Sequence, residues 1–169
     1  MATALKVYGP FEVPCAKNGA TKFIDRPHKR LFLEKIATEN LSKKQGCYIF
    51  ALRAGRGFCP WYVGKATKTM HQECLGTYQM HQYNAVIAKS HKGSPVMFFV
   101  SPEGTKKKVP KAICAEMEAA LIQAALSENP HLRNVQRAKV PAWGIDGVLR
   151  GRHGKPTERE SAFRKMMGF

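Results

Sequence analysis

Two short strand-forming runs joined by turn chemistry constrain this chain more than any other feature. The segment GCYIFAL (Gly46 to Leu52) is apolar throughout and rich in strand formers. AGRGFCP follows with two glycines and a proline, and WYVGK (Trp61 to Lys65) resumes a strand. That succession predicts an antiparallel hairpin. The run PVMFFV (Pro95 to Val100) predicts a further strand.

Helical patterns lie around these runs. From Asp25, with Pro27 where a first turn tolerates it, RPHKRLFLEKIATEN predicts an amphipathic helix with Leu31, Phe32, Ile36 and Ala37 on one face. Thr67 or Thr69 can cap a helix running toward Lys89, weakened or interrupted at Gly76. Pro110 to Leu126 follows helical periodicity, with Ile113, Met117, Ala120, Leu121 and Ala124 on one side, and Asn129-Pro130 ends it. Thr157 stands three residues before Glu160, the capping-box spacing, which predicts a short terminal helix. In the first 25 residues, LKVYGPFEV supports no more than a strand and a turn. The order strand, strand, helix, strand, helix belongs to an α/β (α+β) domain.

Charge narrows the function. The 169 residues carry 28 Lys and Arg against 12 Asp and Glu, a formal +16 at pH 7. Self-repulsion on that scale points to a polyanionic partner, and nucleic acid is the commonest. No apolar run approaches the ~20 residues that span a bilayer. The start MATALKVYGPFEVP has no secretory-signal pattern, so a cytoplasmic chain without a membrane partner is the expectation. Five cysteines, an odd number without a C-x-x-C pair, fit neither a disulfide framework nor a zinc knuckle and read as reduced thiols. From Pro141 onward, Gly144, Gly147, Gly151, Gly154 and Pro156 break up a basic tail that can dock on the domain or reach along a nucleic acid.

The two predicted strands carry Gly46-Cys47-Tyr48 and Tyr62-Val63-Gly64, with YVGKA continuing the second. Downstream, EAALIQ (Glu118 to Gln123) has a glutamate followed at three and four residues by Leu-Ile, and Pro130 and Asn134 come after it. This set resembles the signature of the GIY-YIG nuclease superfamily, over Gly46 to Asn134. The resemblance implies a small three-stranded antiparallel sheet flanked by helices at 46–134. Residues 1–45 then form an N-terminal extension with one helix, and 135–169 a basic C-terminal extension with a short helix. It further implies a metal-dependent endonuclease acting on nucleic acid, DNA ahead of RNA, with one Mg²⁺ or Mn²⁺ held by Glu118. In that reading Tyr48 orients or deprotonates the attacking water, Tyr62 contacts the scissile phosphate, Lys65 adds a phosphate contact or assists the base, and Asn134 positions the site.

The chemistry is coherent. Phosphodiester hydrolysis needs a divalent metal, a group that takes a proton from water, and cationic or hydrogen-bonding groups around the transition state. A carboxylate is the hard oxygen ligand that Mg²⁺ prefers, and Mg²⁺ needs few of them. One feature departs from the family. The arginine usual about ten residues past the first tyrosine of YIG is replaced by Gln72, flanked by His71 and Glu73. Lys65, Lys68, Arg56 and His71 are candidate substitutes, with Gln72 and Lys106, Lys107 and Lys108 as further nucleic-acid contacts.

Each residue also has a plainer reading. Tyr48 and Tyr62 serve equally as strand aromatics, Glu118 as a solvated helix carboxylate, and Asn134 as turn chemistry. Lys106 to Lys108 form a solvated loop, and His71, His81 and His91 have no metal-ligand spacing. The alternative function is therefore a nucleic-acid-binding protein that does not cut.

Overall fold

The computed structural model describes residues 4–89, 93–134, 145, 148 and 155–168. Its strands are β1 (Leu5–Glu12), β2 (Ala16–Asn18), β3 (Thr21–Phe23), β4 (Gly46–Ala54), β5 (Gly57–Ala66) and β6 (Ser94–Pro102). Its helices are α1 (Arg26–Thr38), α2 (Met70–Glu73), α3 (Thr77–Ala88), α4 (Lys111–Glu128) and α5 (Glu158–Met167). The main sheet is antiparallel in the order β1-β6-β4-β5, and β2 pairs with β3 in a separate ribbon.

The hairpin forms as expected, but the sheet has four strands rather than three. The addition is β1, paired with β6 across a register shift between Tyr8 and Phe11, where Gly9 and Pro10 sit. Proline has no N–H for the ladder, so a strand containing it belongs at an edge, and its signal in sequence is broken. Through β1, residues 5–12 belong to the main sheet.

Two layers of side chains cover the sheet. On one face Tyr48, Phe50, Leu52, Tyr62, Met97 and Phe99 pack with Phe32 and Ile36 of α1 and Tyr83 and Val86 of α3. On the other, Ile49 and Val63 pack against Leu121, Ile122, Ala125 and Leu126 of α4. The helix α1 starts where expected: the Asp25 carboxylate accepts from the His28 N–H at 3.0 Å. Its buried residues are Phe32, Leu33 and Ile36, whereas Leu31 is 52% exposed. Leu31, Phe32 and Leu33 are consecutive, so composition could not choose the rotation.

A similar rotation corrects α4. Its buried stripe is Cys114, Ile122, Ala125 and Leu126, one position away from the expected Ile113, Met117, Ala120, Leu121 and Ala124. Ala, Ile, Leu and Met occupy most sides of this helix, so the pattern has no clean polar face. The shift brings Glu118 onto the sheet-facing side, between Cys114 and Ile122 one turn either way.

Between β5 and β6 the chain divides at Gly76, as its sequence suggests: Thr69 caps the short α2 and Gly76 begins α3. The capping box forms in α5, where Thr157 and Glu160 bond reciprocally. The tail glycines Gly144, Gly147, Gly151 and Gly154, with Pro141 and His91, lie outside the described residues. Among the described residues no helix is long and apolar enough to cross a membrane.

Candidate active site

Pairing of β4 with β5 sets Cys47 opposite Lys65, Tyr48 opposite Gly64 and Phe50 opposite Tyr62. Side chains alternate across a sheet, so Tyr48 and Tyr62 share the α3 face while Cys47 and Lys65 share the α4 face. Both glycines of the signature have steric reasons. At Gly46, φ is +145° and a Cβ would lie 2.0 Å from the Val100 carbonyl oxygen. At Gly64, a Cβ would meet Cζ and Oη of Tyr48 at 2.5 Å, because the phenol lies across the glycine.

The tyrosines form a packed stack. Their ring centroids are 6.3 Å apart with planes 8° from parallel, and Tyr83 meets Tyr62 edge-on at 5.4 Å. Tyr48 is 1% exposed and Tyr62 4%. Burial drives the Tyr48 hydroxyl far above the ordinary phenol range and pushes Tyr62 up to about 12, where Tyr78 and Glu118 add and a hydrogen bond from Gln79 opposes. Both phenols are therefore neutral at pH 7. Tyr48 in this buried setting holds its proton more firmly than an ordinary phenol.

On the opposite face, Lys65 Nζ donates to Glu118 Oε2 at 2.5 Å, with side-chain exposures of 26% and 14%. Two thiols border this pair, and Cys47 donates to the Cys114 carbonyl at 3.7 Å. Burial pushes Cys47 up to about 12, helped by Cys114 and Glu118 and opposed by Lys65. Cys114 is raised by burial as well. Burial thus favours the protonated thiol at both positions.

The segment after α4 runs along the free edge of β5. Arg133 N–H donates to the Trp61 carbonyl at 2.8 Å, and the Asn134 amide donates to the Val63 carbonyl at 2.7 Å. Asn134 thus fastens this segment to the strand carrying Tyr62 and Lys65. Arg133 Nε reaches Gln82 Oε1 of α3 at 3.1 Å, so the segment also bridges to the tyrosine face.

Tyr48, Tyr62, Lys65, Glu118 and Asn134 accordingly lie on or against β5 but on two faces of the sheet, the tyrosines toward α3 and the Lys65–Glu118 pair toward α4. The other candidates divide. Lys68, His71 and Gln72 are exposed on or beside α2, next to the Lys65 end of β5; Gln72 accepts from the Thr69 hydroxyl at 3.1 Å. Lys106, Lys107 and Lys108 are exposed, and the Lys107 carbonyl accepts from Gln45 N–H at 2.8 Å, beside the start of β4. Arg56 sits in the β4–β5 turn, nine residues along the strand from Lys65 and so roughly 30 Å away. His81 is exposed.

Several neighbours escaped the sequence reading. Tyr78 and Gln79 of α3 adjoin the tyrosine pair, Glu73 accepts from the Lys68 N–H at 2.5 Å, and Arg133 stands beside Asn134. The only signal was the polar and aromatic density of TYQMHQY, which does not reveal the helix face.

The donor set suits a metal only in a limited way. Among the described residues no group of three or more His, Cys, Asp or Glu gathers to hold an ion. Glu118 offers one oxygen, Oε1, that no described protein group engages, while Oε2 is held by Lys65. One carboxylate oxygen, with water and phosphate oxygens completing the shell, fits the coordination habit of Mg²⁺. Comparison with family models, curated proteins and solved structures found no match to this chain.

Proposed function

We propose that this chain is a metal-dependent endonuclease of GIY-YIG type that hydrolyses phosphodiester bonds in nucleic acid, DNA first, in the cytoplasm. The observation that carries the reading is the attachment to one strand, β5, of the stacked Tyr48–Tyr62 pair on one face and the 2.5 Å Lys65–Glu118 pair on the other, in a chain of net charge +16. The β4, β5, α2, α3, β6, α4 succession is compatible with the family's layout, with β1 as an added strand.

Glu118 Oε1 would hold one Mg²⁺ or Mn²⁺, which when bound supplies Lewis-acid neutralisation of phosphate charge. Lys65 orients Glu118 through the 2.5 Å contact, and its ammonium is available to an incoming phosphate. Tyr62 donates a hydrogen bond as a neutral phenol, the form its environment favours. Tyr48 fixes Tyr62 by stacking, and Asn134 holds the strand edge. Lys68, His71 and Lys106 to Lys108 extend a basic border for the backbone, and with Gln72 uncharged they supply the cationic environment.

One observation favours a second reading. The Lys65–Glu118 pair neutralises the candidate ligand, and Tyr48 and Tyr62 are nearly inaccessible, as in a nucleic-acid-binding module that does not cut. Labelled single-stranded DNA, duplex DNA and RNA, incubated with wild type and Glu118→Ala in Mg²⁺, Mn²⁺ or chelator, separate the two. The nuclease reading expects metal-dependent cutting that disappears in the variant. Binding by both proteins without cutting on any substrate selects the module.

A further inference from the structure

A second basic feature lies at the other end of the sheet. An open cleft of about 480 Å³ forms where the β2–β3 ribbon faces α1 and the start of β6. Lys17, Lys22 and Lys35 line it, with Glu12 as its carboxylate and Leu31 among its apolar residues. The ribbon's register sets Lys17 directly opposite Lys22. Like charges in that relation destabilise a strand pair. None of the three lysines has an ion-pair partner among the described residues, so the fold leaves this repulsion unrelieved.

We infer that this cleft is a second subsite for the nucleic-acid strand, receiving a backbone phosphate among Lys17, Lys22 and Lys35. The neighbouring sugar rests on Leu31, which is 52% exposed, and on Pro14. Glu12 leaves a net positive charge of two in the cleft, the balance that suits a phosphodiester. The inference rests on the nucleic-acid reading above but not on cleavage. Pro95 lines the cleft and pairs with Leu52, five residues along β4 from Cys47, the partner of Lys65. Strand rise and the spacing between strands separate the two sites by about 20 Å in the plane of the sheet, with the cleft on the α1 face and Glu118 on the α4 face. At ~3.4 Å per step, a strand reaching both passes round the sheet and covers more than about six nucleotides. The cleft therefore acts as an anchor that fixes where a bound strand crosses the Glu118 site.

The test uses the full chain, a fluorescent 20-base-pair DNA duplex, and the variant Lys17→Gln/Lys22→Gln/Lys35→Gln, in which Lys17 and Lys35 are exposed and Lys22 is half-buried. Loss of one phosphate contact lowers the slope of log affinity against log salt by about 0.9, so the variant is expected to lose about one from the slope and about tenfold in affinity at low salt. In wild type, the duplex is expected to protect the three lysines from acetylation, read by mass spectrometry, which does not depend on the variant folding. Unchanged salt slope, or absence of protection while the duplex is bound, overturns the inference. So does equal protection by poly-glutamate at matched charge, which would assign the cleft to acidic protein. Lysine-dependent binding without cutting upholds the anchor and removes the nuclease reading; cutting with unprotected lysines does the reverse. Failure of the wild type to bind DNA removes both.

Discussion

Replacing Gly64 by alanine is the sharpest perturbation of the stack that holds Tyr48 and Tyr62. The added Cβ would lie 2.5 Å from Cζ and Oη of Tyr48 and 2.6 Å from Cε2, against ~3.5–4.0 Å for comfortable carbon contacts. The phenol cannot retreat easily, being 1% exposed and stacked on Tyr62. Overpacking of this kind costs ~1–3 kcal/mol, and the stiffening of the unfolded chain by Gly→Ala returns only ~0.4–1 kcal/mol. The expected net loss is about 1–2 kcal/mol, which for a domain of this size lowers Tm by roughly 2–8 °C. Thermal and urea unfolding measure it, and Tyr48→Leu supplies the control. Without the ring, Gly64→Ala should cost little, giving a coupling energy on the order of 1–2 kcal/mol in the double-mutant cycle. A Tm within about 1 °C of wild type, or two losses that simply add, would show that the glycine is not there to admit the phenol.

Three further outcomes follow from the same contacts. In a spectrophotometric titration, Tyr48, Tyr62 and Tyr83 should stay protonated past pH 11 while the protein is folded, because burial raises all three. Their contribution to stability is complete below the unfolded value near 10 and is lost as pH rises through the folded values; ionisation of all five tyrosines together near pH 10 in the folded state would contradict this. Asp25 is held below the usual carboxylate range by the His28 N–H and ring, so its contribution is present above the unfolded value near 3.8 and fades as pH falls through the lower folded one; Asp25→Asn should flatten the acid limb of stability there, and an unaltered limb refutes the cap's role. For the Lys65–Glu118 pair, Glu118→Gln should abolish metal-dependent cutting with a stability loss of about 1–2 kcal/mol, and Lys65→Met/Glu118→Met should be more stable than Lys65→Met alone; retained cutting in Glu118→Gln rules out the carboxylate as ligand.

The hairpin, the third of its strands, the cap of α1, the break at Gly76 and the terminal capping box were all legible because each has a local cause written within a few residues. What escaped was rotation and partnership. Three consecutive apolar residues left the face of α1 undecided, and β1 was obscured because Gly9 and Pro10 interrupt a strand that only β6 completes. Nothing within residues 111–128 reports that α4 turns Glu118 toward the sheet, since that rotation is chosen by Ile49 and Val63 on strands far away in sequence.

That rotation decides how the candidate site must be read. As a solvated carboxylate, Glu118 would need no partner and would bind a cation weakly. On the packed face, at 14% exposure, an isolated charge would be costly, and Lys65 on the facing strand offsets it. The lysine in YVGK and the glutamate in EAALIQ are therefore one unit, separated by 53 positions and joined by the β5–α4 packing. An ion pair assembled this way is already desolvated and held in place, so an arriving phosphate or metal meets a fixed field and does not have to build one. The same packing means that altering either residue perturbs both the fold and the site. Loss of activity in a Lys65 variant therefore has meaning only beside its measured stability.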